Sequence, residues 1–150
     1  MAGSKKDTFE DALLKLIFQN TNIADIGDTT GLRGSTVAGS FYIALFTAAP
    51  SDSAQGTETV YTNYARVGVV RSAAGWAVSG TTPTNCSNVA AVTFPQCGAT
   101  GATLIAFAIC KGDVETTNDQ IYWGDLTAQL VVSNGITPEF AIGDIDVNED

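Results

Sequence analysis

The feature that most constrains this chain is an apolar run of eight residues, FYIALFTA, at Phe41–Ala48. Ala49-Pro50 and the polar stretch SDSAQGTE follow it and end it. An apolar run of this length between turn signals is typical of a strand that is buried on both faces or packed at the core of a sandwich. The run therefore predicts a β-strand at the centre of the fold.

A second strand is predicted over VYTNYARVGVVRS, at Val60–Ser72. In this segment Tyr64, Arg66 and Gly68 alternate with smaller apolar residues, and such alternation is typical of a strand with one face in solvent. The loop between the two runs is long enough for them to pair as antiparallel neighbours.

Further short strands are predicted at intervals of about ten residues, which is the spacing of sandwiches and barrels. They are WAVSG, NVAAVTF, ATLIAFAIC, IYWGDL, TAQLVVS and ITPEFAIGDIDV, whereas TTPTNCS and KGDVETTNDQ are expected to be loops. The predicted fold class is mainly all-β, an antiparallel, jelly-roll-like β-sandwich with one N-terminal α-helix.

That helix is predicted over residues 8–19, TFEDALLKLIFQ, where apolar side chains recur every three or four residues. Phe9, Leu13, Leu16 and Ile17 form the apolar stripe, and Leu14 and Phe18 widen it. A stripe this wide has to be covered, either by the strands of the same chain or by another subunit. In the second case the four stripe residues would form an interface.

A glycine-rich connector follows the helix, so we expect residues 1–40 to form helix and connector and residues 41–150 to form the β-sandwich domain. Gly27, Gly31 and Gly34 in this connector faintly resemble a phosphate-binding loop. Such a loop needs a lysine after its last glycine, and Ser35 follows here instead. The sequence therefore predicts no cofactor site in the connector.

Charge and composition exclude several classes of function. Seven Lys and Arg stand against sixteen Asp and Glu, for a net charge of −9, which disfavours nucleic-acid binding because basic residues drive it. Histidine is absent, so Ser-His-Asp catalysis and histidine metal ligands are excluded. No apolar run approaches the roughly 20 residues of a membrane-spanning helix, and the N-terminus does not resemble a signal peptide. We expect synthesis in the cytoplasm and no membrane partner.

Three cysteines, Cys86, Cys97 and Cys110, are expected to be free thiols, although a disulfide stays an alternative. Near the C-terminus, Asp144, Asp146, Asn148 and Asp150 alternate like the opening of a calcium loop, but Glu149 stands where such a loop needs glycine. On a strand these side chains would form a solvated acidic edge, which is the reading we favour. No catalytic residue and no metal site is predicted.

Aromatic residues and arginines are the remaining candidates for a binding surface. A carbohydrate platform could be built from Trp76, Trp123, Tyr61, Tyr64 and Tyr122, but aromatic residues on strands more often belong to a core or an interface. Arg66 and Arg71 stand out among few cations. Both are predicted interface residues, and Arg66 is expected to form a salt bridge with another subunit.

The order of several segments resembles a family of tailed-bacteriophage virion proteins that are commonly labelled tail fibre or hypothetical structural proteins. The resemblance extends from about residue 9 to 147 and rests on DALLKLIF, FYIALFTAAPSD, YTNYARVGVVRSAAGW, AAVTFPQ, LIAFAI and IYWGDLTAQLVVSNGITPEF. The three cysteines depart from the small residues usual in the family. The resemblance implies a structural virion protein and no catalytic residues.

Within the virion, a compact acidic β domain with an apolar helix favours a non-enzymatic capsid decoration or cement protein on the major capsid shell, as a dimer or trimer. The alternative is a tail or tail-fibre component, either an adaptor or a receptor-binding module. A carbohydrate-active or lytic enzyme of the virion is a third hypothesis, which the absence of histidine and of a recognisable acid pair disfavours.

Overall fold

The computed structural model describes residues 5–80 and 83–149, and this part of the chain is mainly β with one α-helix. The helix, α1, spans Asp7–Gln19. The strands in chain order are β1 Ser40–Ala48, β2 Thr57–Glu58, β3 Val67–Val70, β4 Trp76–Ser79, β5 Thr84–Asn88, β6 Val92–Thr93, β7 Ala102–Cys110, β8 Gln120–Val132, β9 Glu139–Phe140 and β10 Asp146–Glu149. The predicted fold class, mainly β with antiparallel sheets and one N-terminal helix, is confirmed, and the jelly-roll order of strands stays a prediction.

The chain folds into two compact units, and each is assembled from stretches that are far apart in sequence. Unit 1 takes its described residues from Met1–Ser40, Val70–Ala91 and Ala141–Asp150. Unit 2 takes its residues from Phe41–Val69 and Val92–Phe140. The predicted division into residues 1–40 and 41–150 stays a prediction.

Unit 1 packs α1 against a three-stranded antiparallel sheet in the order β10-β5-β4. Leu14 and Phe18 are fully buried, and the ring of Phe18 lies 4.8 Å from that of Trp76 on β4, centroid to centroid. Each such side chain stabilises the fold by about 1.5–3 kcal/mol through removal of apolar surface from water. The apolar stripe of α1 is therefore covered, at least along its centre, by strands of its own chain.

The centre of that stripe differs from the one predicted. Phe9 is 38% exposed, whereas Glu10, Leu14 and Phe18 form the buried row. Residues four apart lie above one another on a helix. Leu14 and Phe18, which were expected to widen the stripe, therefore lie along its centre. The side chains predicted as the stripe, Leu13, Leu16 and Ile17, are partly buried along its sides.

Unit 2 is built on a five-stranded sheet with β1 and β7 at its centre. The strand order is β2-β1-β7-β8, and β3 also pairs with β1. Ala44 and Phe46 of β1 pack with Ala106, Ala108 and Cys110 of β7, and all five side chains are completely buried. The strand predicted from FYIALFTA is confirmed, and its burial follows from its central position.

β8 lies at one edge of this sheet and carries an irregularity. It pairs with β7 at Asp125↔Ala106 and again at Leu130↔Leu104, so residues 126–129 stand opposite Ile105 alone. The short ribbon β6-β9 completes the unit, and the ring of Phe140 on β9 lies 5.2 Å from that of Phe107 on β7.

Predictions for several segments are wrong in part. NVAAVTF contains the end of β5 and the two-residue β6, and ITPEFAIGDIDV is divided between β9 and β10. Of the segment 60–72, strand geometry is confined to Val67–Val70, because the chain turns at Asn63, which has a φ of 76°. TTPTNCS was expected to be loop, yet Thr84–Asn88 forms β5, the central strand of the unit 1 sheet. Thr84, Cys86 and Asn88 are the buried residues of β5. Their side chains are too polar or too small to give an alternating hydrophobic pattern in the sequence.

Cys86, Cys97 and Cys110 are free thiols and all three are buried, which confirms the prediction. Burial raises the pKa of Cys86 to about 12, with a further contribution from Asp146. Among the described residues, no helix has the length and apolar character that crossing a membrane requires.

Candidate binding groove beside Trp123

A groove of about 280 Å³ opens on unit 2 beside Trp123. One wall is the turn at residues 51–55, and the other is formed by Asn118 and the first residues of β8, namely Gln120, Ile121 and Trp123. Its size is just below the range of about 300–1,000 Å³ that is usual for small-molecule pockets. The groove therefore has room for a small ligand or for one part of a larger one.

Trp123 is the largest apolar side chain that this groove exposes. It is 43% exposed, although its backbone pairs with Ala108 in the sheet. Strand pairing fixes the backbone of Trp123, and the exposure of its ring leaves apolar surface in contact with water. Exposed apolar surface in a rigid setting beside polar groups is a common mark of a binding site.

Gln55 joins the two walls of the groove. Its Nε2 donates to Glu115 Oε1 at 2.9 Å, and its Oε1 accepts from the backbone N of Asn118 at 3.4 Å. Gln120 Nε2 donates to the backbone O of Gln55 at 3.1 Å. These contacts connect segments that are 60 to 65 residues apart in sequence, so the groove is a product of the tertiary fold.

The turn that forms the first wall is closed by its own hydrogen bonds. Ser51 N donates to Ala54 O at 2.8 Å, and Ala54 N donates to Ser51 Oγ at 3.1 Å. Asp52 and Ser53 occupy the tip and are exposed. The tip therefore presents one carboxylate and one hydroxyl to the solvent at the groove.

A buried arginine anchors the loop that supplies the second wall. Arg66 Nη1 donates to Asp119 Oδ2 at 2.5 Å and to the backbone O of Gly112 and Val114 at 2.8 and 3.2 Å. Asp119 directly precedes Gln120 of β8 and follows Asn118. Arg66 thus fixes both ends of the loop 111–119 and holds Asn118 at the groove.

The same arginine forms a bidentate pair with Glu58 on β2. Nε and Nη2 of Arg66 donate to Oε1 and Oε2 of Glu58 at 2.8 and 2.7 Å, and Tyr64 OH donates to Glu58 Oε1 at 2.6 Å. Burial pushes the pKa of Arg66 down, but the hydrogen bonds to Glu58 and Asp119 outweigh it and raise that pKa. Burial, followed by the hydrogen bond to Glu58, raises the pKa of Tyr64.

Arg66 thus forms salt bridges within its own chain, whereas the sequence led us to expect a partner on another subunit. The side chain of Arg66 is 2% exposed, and those of its partners Glu58 and Asp119 are 7% and 2% exposed. Its carboxylate partners belong to its own chain, because the short β2 and the loop 111–119 both come to lie beside it. The guanidinium of Arg66 is thus engaged within its own chain, and an interface role for Arg66 stays a prediction.

Arg71 binds backbone carbonyl groups near the C-terminal end of α1 in unit 1. Its Nε donates to the backbone O of Ile17 at 2.7 Å and its Nη2 to that of Leu16 at 3.1 Å, while Nη1 donates to Ala38 O at 3.1 Å. The last carbonyl groups of a helix lack partners within it and carry partial negative charge. Arg71 therefore stabilises the end of α1, and an interface role for Arg71 and for the predicted stripe residues stays a prediction.

The five aromatic residues that were grouped as a carbohydrate platform do not form one exposed surface. Trp76 and Tyr61 are buried, Tyr61 OH donates to Pro95 O at 2.9 Å, and burial, with a smaller contribution from Cys97, raises the pKa of Tyr61 to about 12. Tyr64 belongs to the buried Glu58 network, and Tyr122 is half-buried. Of the five, Trp123 is the one in the groove.

The other sequence candidates have structural roles. In the glycine-rich connector, Asp28 Oδ1 accepts from the backbone N of Thr30 and Gly31, and Asn22 Oδ1 accepts from that of Gly34. These backbone N–H groups are therefore engaged by side chains of the same loop, unlike those of a phosphate loop.

The acidic C-terminal segment lies on an edge strand, as predicted. Asp146 and Asn148 of β10 are exposed and Val147 is buried, and β10 is the outer strand of its sheet. Asn85 Nδ2 on the neighbouring β5 donates to Oδ1 of Asp146. Asp150 lies outside the described residues, and the described ones contain no group of three or more acids, cysteines or histidines placed to hold a metal.

Sequence reasoning missed Gln55, Asn118 and Gln120 as groove residues. None of them belongs to a motif, and the signal that brings them together is the pairing of β8 with β7 and the anchoring of the loop by Arg66. The groove offers hydroxyl, carboxamide and carboxylate groups beside an aromatic ring. This combination suits non-covalent recognition of a polar ligand.

A comparison with curated protein sequences gives no match. A family model described as Podophage GP4 fiber I protein gp80 matches residues 5–148, which is nearly the whole chain and agrees with the resemblance to tailed-phage virion proteins. The chain belongs to this family of phage fibre proteins.

Proposed function

We propose that this chain is a non-enzymatic component of the fibre apparatus of a podophage virion, either an adaptor or a receptor-binding module. The observation that carries the proposal is the family match over residues 5–148, whose description names a fibre protein. A structural role in a phage virion follows from family membership itself, and the fibre location is the proposed refinement.

Two features of unit 2 support a role in surface contact. The groove beside Trp123 is open to solvent and rigidly framed, and Trp123 itself exposes a large apolar ring. Fibre components act at the outside of the particle, where such a surface is accessible. We further propose that the chain works as a homo-oligomer together with other virion proteins.

Capsid decoration, which the sequence favoured, is the rival within the same virion role. That reading used the apolar helix as the part that docks on the capsid shell. In the structure the axis of the helix, Leu14 and Phe18, is covered by β4 and β5 of the same chain, so less of its apolar surface is available to a partner. For this reason we place the fibre role first.

Immunogold labelling of intact virions with an antibody against this chain tests the proposal. The negative control is virions of a phage from which the gene has been deleted, and the positive control is virions in which the protein is supplied in trans. We expect gold at the fibres or the tail. Gold over the heads would overturn the fibre role in favour of decoration, and absence of gold from complemented virions would overturn both.

A further inference from the structure

We infer that the groove beside Trp123 binds a neutral oligosaccharide. The inference rests on the proposed function for its biological meaning, because a fibre component at the outside of the virion would meet glycans of the host surface. Its chemical basis is independent of that function and lies in the residues that line the groove.

The first step of the argument is the ring of Trp123. One face of a pyranose ring presents C–H groups, and these are attracted to the electron-rich face of an indole. Trp123 is 43% exposed and is placed on a paired strand, so its ring can be covered by a flat ligand without movement of the backbone. A buried tryptophan such as Trp76, which is 0% exposed, has no such surface.

The second step is the set of polar groups around the ring. Sugar hydroxyls both donate and accept hydrogen bonds, and carboxamides are the uncharged side chains that do the same. Asn118 and Gln120 supply carboxamides, and Ser53 adds a hydroxyl. Within the described residues no hydrogen bond engages the carboxamide of Asn118, and one N–H of the Gln120 carboxamide is used by Gln55 O. Both carboxamides therefore retain groups that a ligand can bind.

The third step is charge. Among the residues that line the groove, Asp52 is charged and no lysine or arginine is present, while the chain as a whole carries a net charge of −9. An anionic saccharide would meet repulsion at such a site and no compensating cation. The charge pattern therefore selects neutral sugars.

The fourth step is rigidity. Gln55 ties the loop 111–119 to the turn at 51–55, and Arg66 anchors the same loop from inside unit 2. A site that is already held in place loses little conformational entropy when a ligand binds. The walls of the groove thus suit a flexible ligand of modest affinity, such as an oligosaccharide.

The test uses the purified full-length protein and four trisaccharide probes. Maltotriose, cellotriose and the trimer of N-acetylglucosamine are neutral, and trigalacturonic acid is the anionic comparison. Binding is followed by tryptophan fluorescence and by saturation-transfer NMR. Because Trp76 is fully buried, a saturable change in emission together with protection from acrylamide quenching reports on Trp123.

We expect at least one neutral trisaccharide to bind and the anionic one not to bind. Trp123→Ala should weaken binding in the NMR experiment by about tenfold or more, and Asn118→Ala should weaken it to a smaller extent. The matched control is Val131→Ala, which removes an exposed side chain from the same strand outside the groove and should leave binding unchanged. Circular dichroism establishes that each variant is folded, and Asn118→Ala tests the site if Trp123→Ala does not fold.

The inference is overturned if none of the neutral probes binds, if the anionic probe binds equally well, or if the groove variants bind like the control variant. Gold on the fibres with no binding of sugar would leave the proposed function in place and remove this inference. Gold on the heads with sugar binding that depends on Trp123 would do the opposite.

Discussion

Arg66 donates hydrogen bonds to both carboxylate oxygens of Glu58, at 2.8 Å from Nε and at 2.7 Å from Nη2. Both side chains are almost fully buried. Replacing Arg66 by leucine leaves Glu58 and Asp119 as buried, unpaired carboxylates. We expect Arg66→Leu to lower the free energy of unfolding by about 3–5 kcal/mol, as measured by urea denaturation.

The control for this pair is Lys15→Met. Lys15 pairs with Asp11 at 2.9 Å on the exposed side of α1, and surface pairs of this kind contribute about 0–1 kcal/mol. Equal effects of the two substitutions would contradict the view that burial makes the Arg66 network important for stability.

Phe18 is expected to be essential to unit 1. Phe18→Ala removes a fully buried ring that contacts Trp76 and should cost about 3–5 kcal/mol of stability. Phe9→Ala removes a ring of the same size that is 38% exposed, and we expect a cost within about 0.5 kcal/mol. Thermal unfolding followed by circular dichroism measures both. A larger loss of stability for Phe9→Ala than for Phe18→Ala would support the stripe that was predicted from the sequence.

The same packing predicts the effect of deleting residues 1–20. If the helix served another chain alone, the truncated protein would keep its fold and lose a partner. Because Leu14 and Phe18 fill the core of unit 1, we expect the truncated protein to lose the ordered environment of Trp76, with a red shift of its emission. An unchanged emission spectrum would contradict this.

Alkaline pH is expected to destabilise the protein through its buried thiols. The pKa of Cys86 and of Cys110 is raised from 9.0 to about 12, with burial as the largest cause in each case. Between these pH values the unfolded chain loses thiol protons that the folded chain keeps. Stability is therefore fully present below about pH 9 and falls as the pH rises towards 12.

Urea denaturation at pH 8 and pH 10.5 measures this fall, and Cys86→Ala and Cys110→Ala serve as comparisons. Each substitution should reduce the slope of stability against pH, whatever its effect at pH 8. A slope that is identical in the variants and the parent would show that other groups govern the alkaline limb.

Gly101 is expected to tolerate no side chain. A Cβ at this position would lie 2.0 Å from Val132 O at the end of the β7–β8 pair, so the two strands would have to separate there. We expect Gly101→Ala to cost about 1–3 kcal/mol or more by urea denaturation. Gly112→Ala is the control, because its nearest neighbour would be Val114 O at 3.7 Å, and it should be close to neutral.

The elements of the fold that could be predicted are those whose own sequence shows a clear hydrophobic pattern. β1, β7 and α1 are long and apolar enough for their periodicity to be read directly, and their bounds agree with the prediction within one residue. β5 could not be predicted, because Thr84, Cys86 and Asn88 are buried by the helix and strands around them rather than by hydrophobicity of their own.

The candidate groove was less accessible to prediction for a related reason. Trp123 was one of five aromatic candidates, and burial distinguishes it from Trp76 and Tyr61 only in the folded chain. Gln55 and Asn118 meet across more than 60 residues of sequence. Arg66 stands out in the sequence as one of few cations. Its partners could not be predicted, because the loop 111–119 reaches it only in the tertiary fold.

The interleaving of the two units affects the order in which the protein can fold on the ribosome. Unit 2 has all its residues once Phe140 has been synthesised, whereas the sheet of unit 1 has to wait for β10 at Asp146–Glu149. At about 5–20 residues per second, the segment that forms α1 is synthesised several seconds before β4 and β5 emerge to cover Leu14 and Phe18. A helix of 13 residues is marginally stable in water on its own, so α1 becomes stable only when these two strands have emerged to cover it.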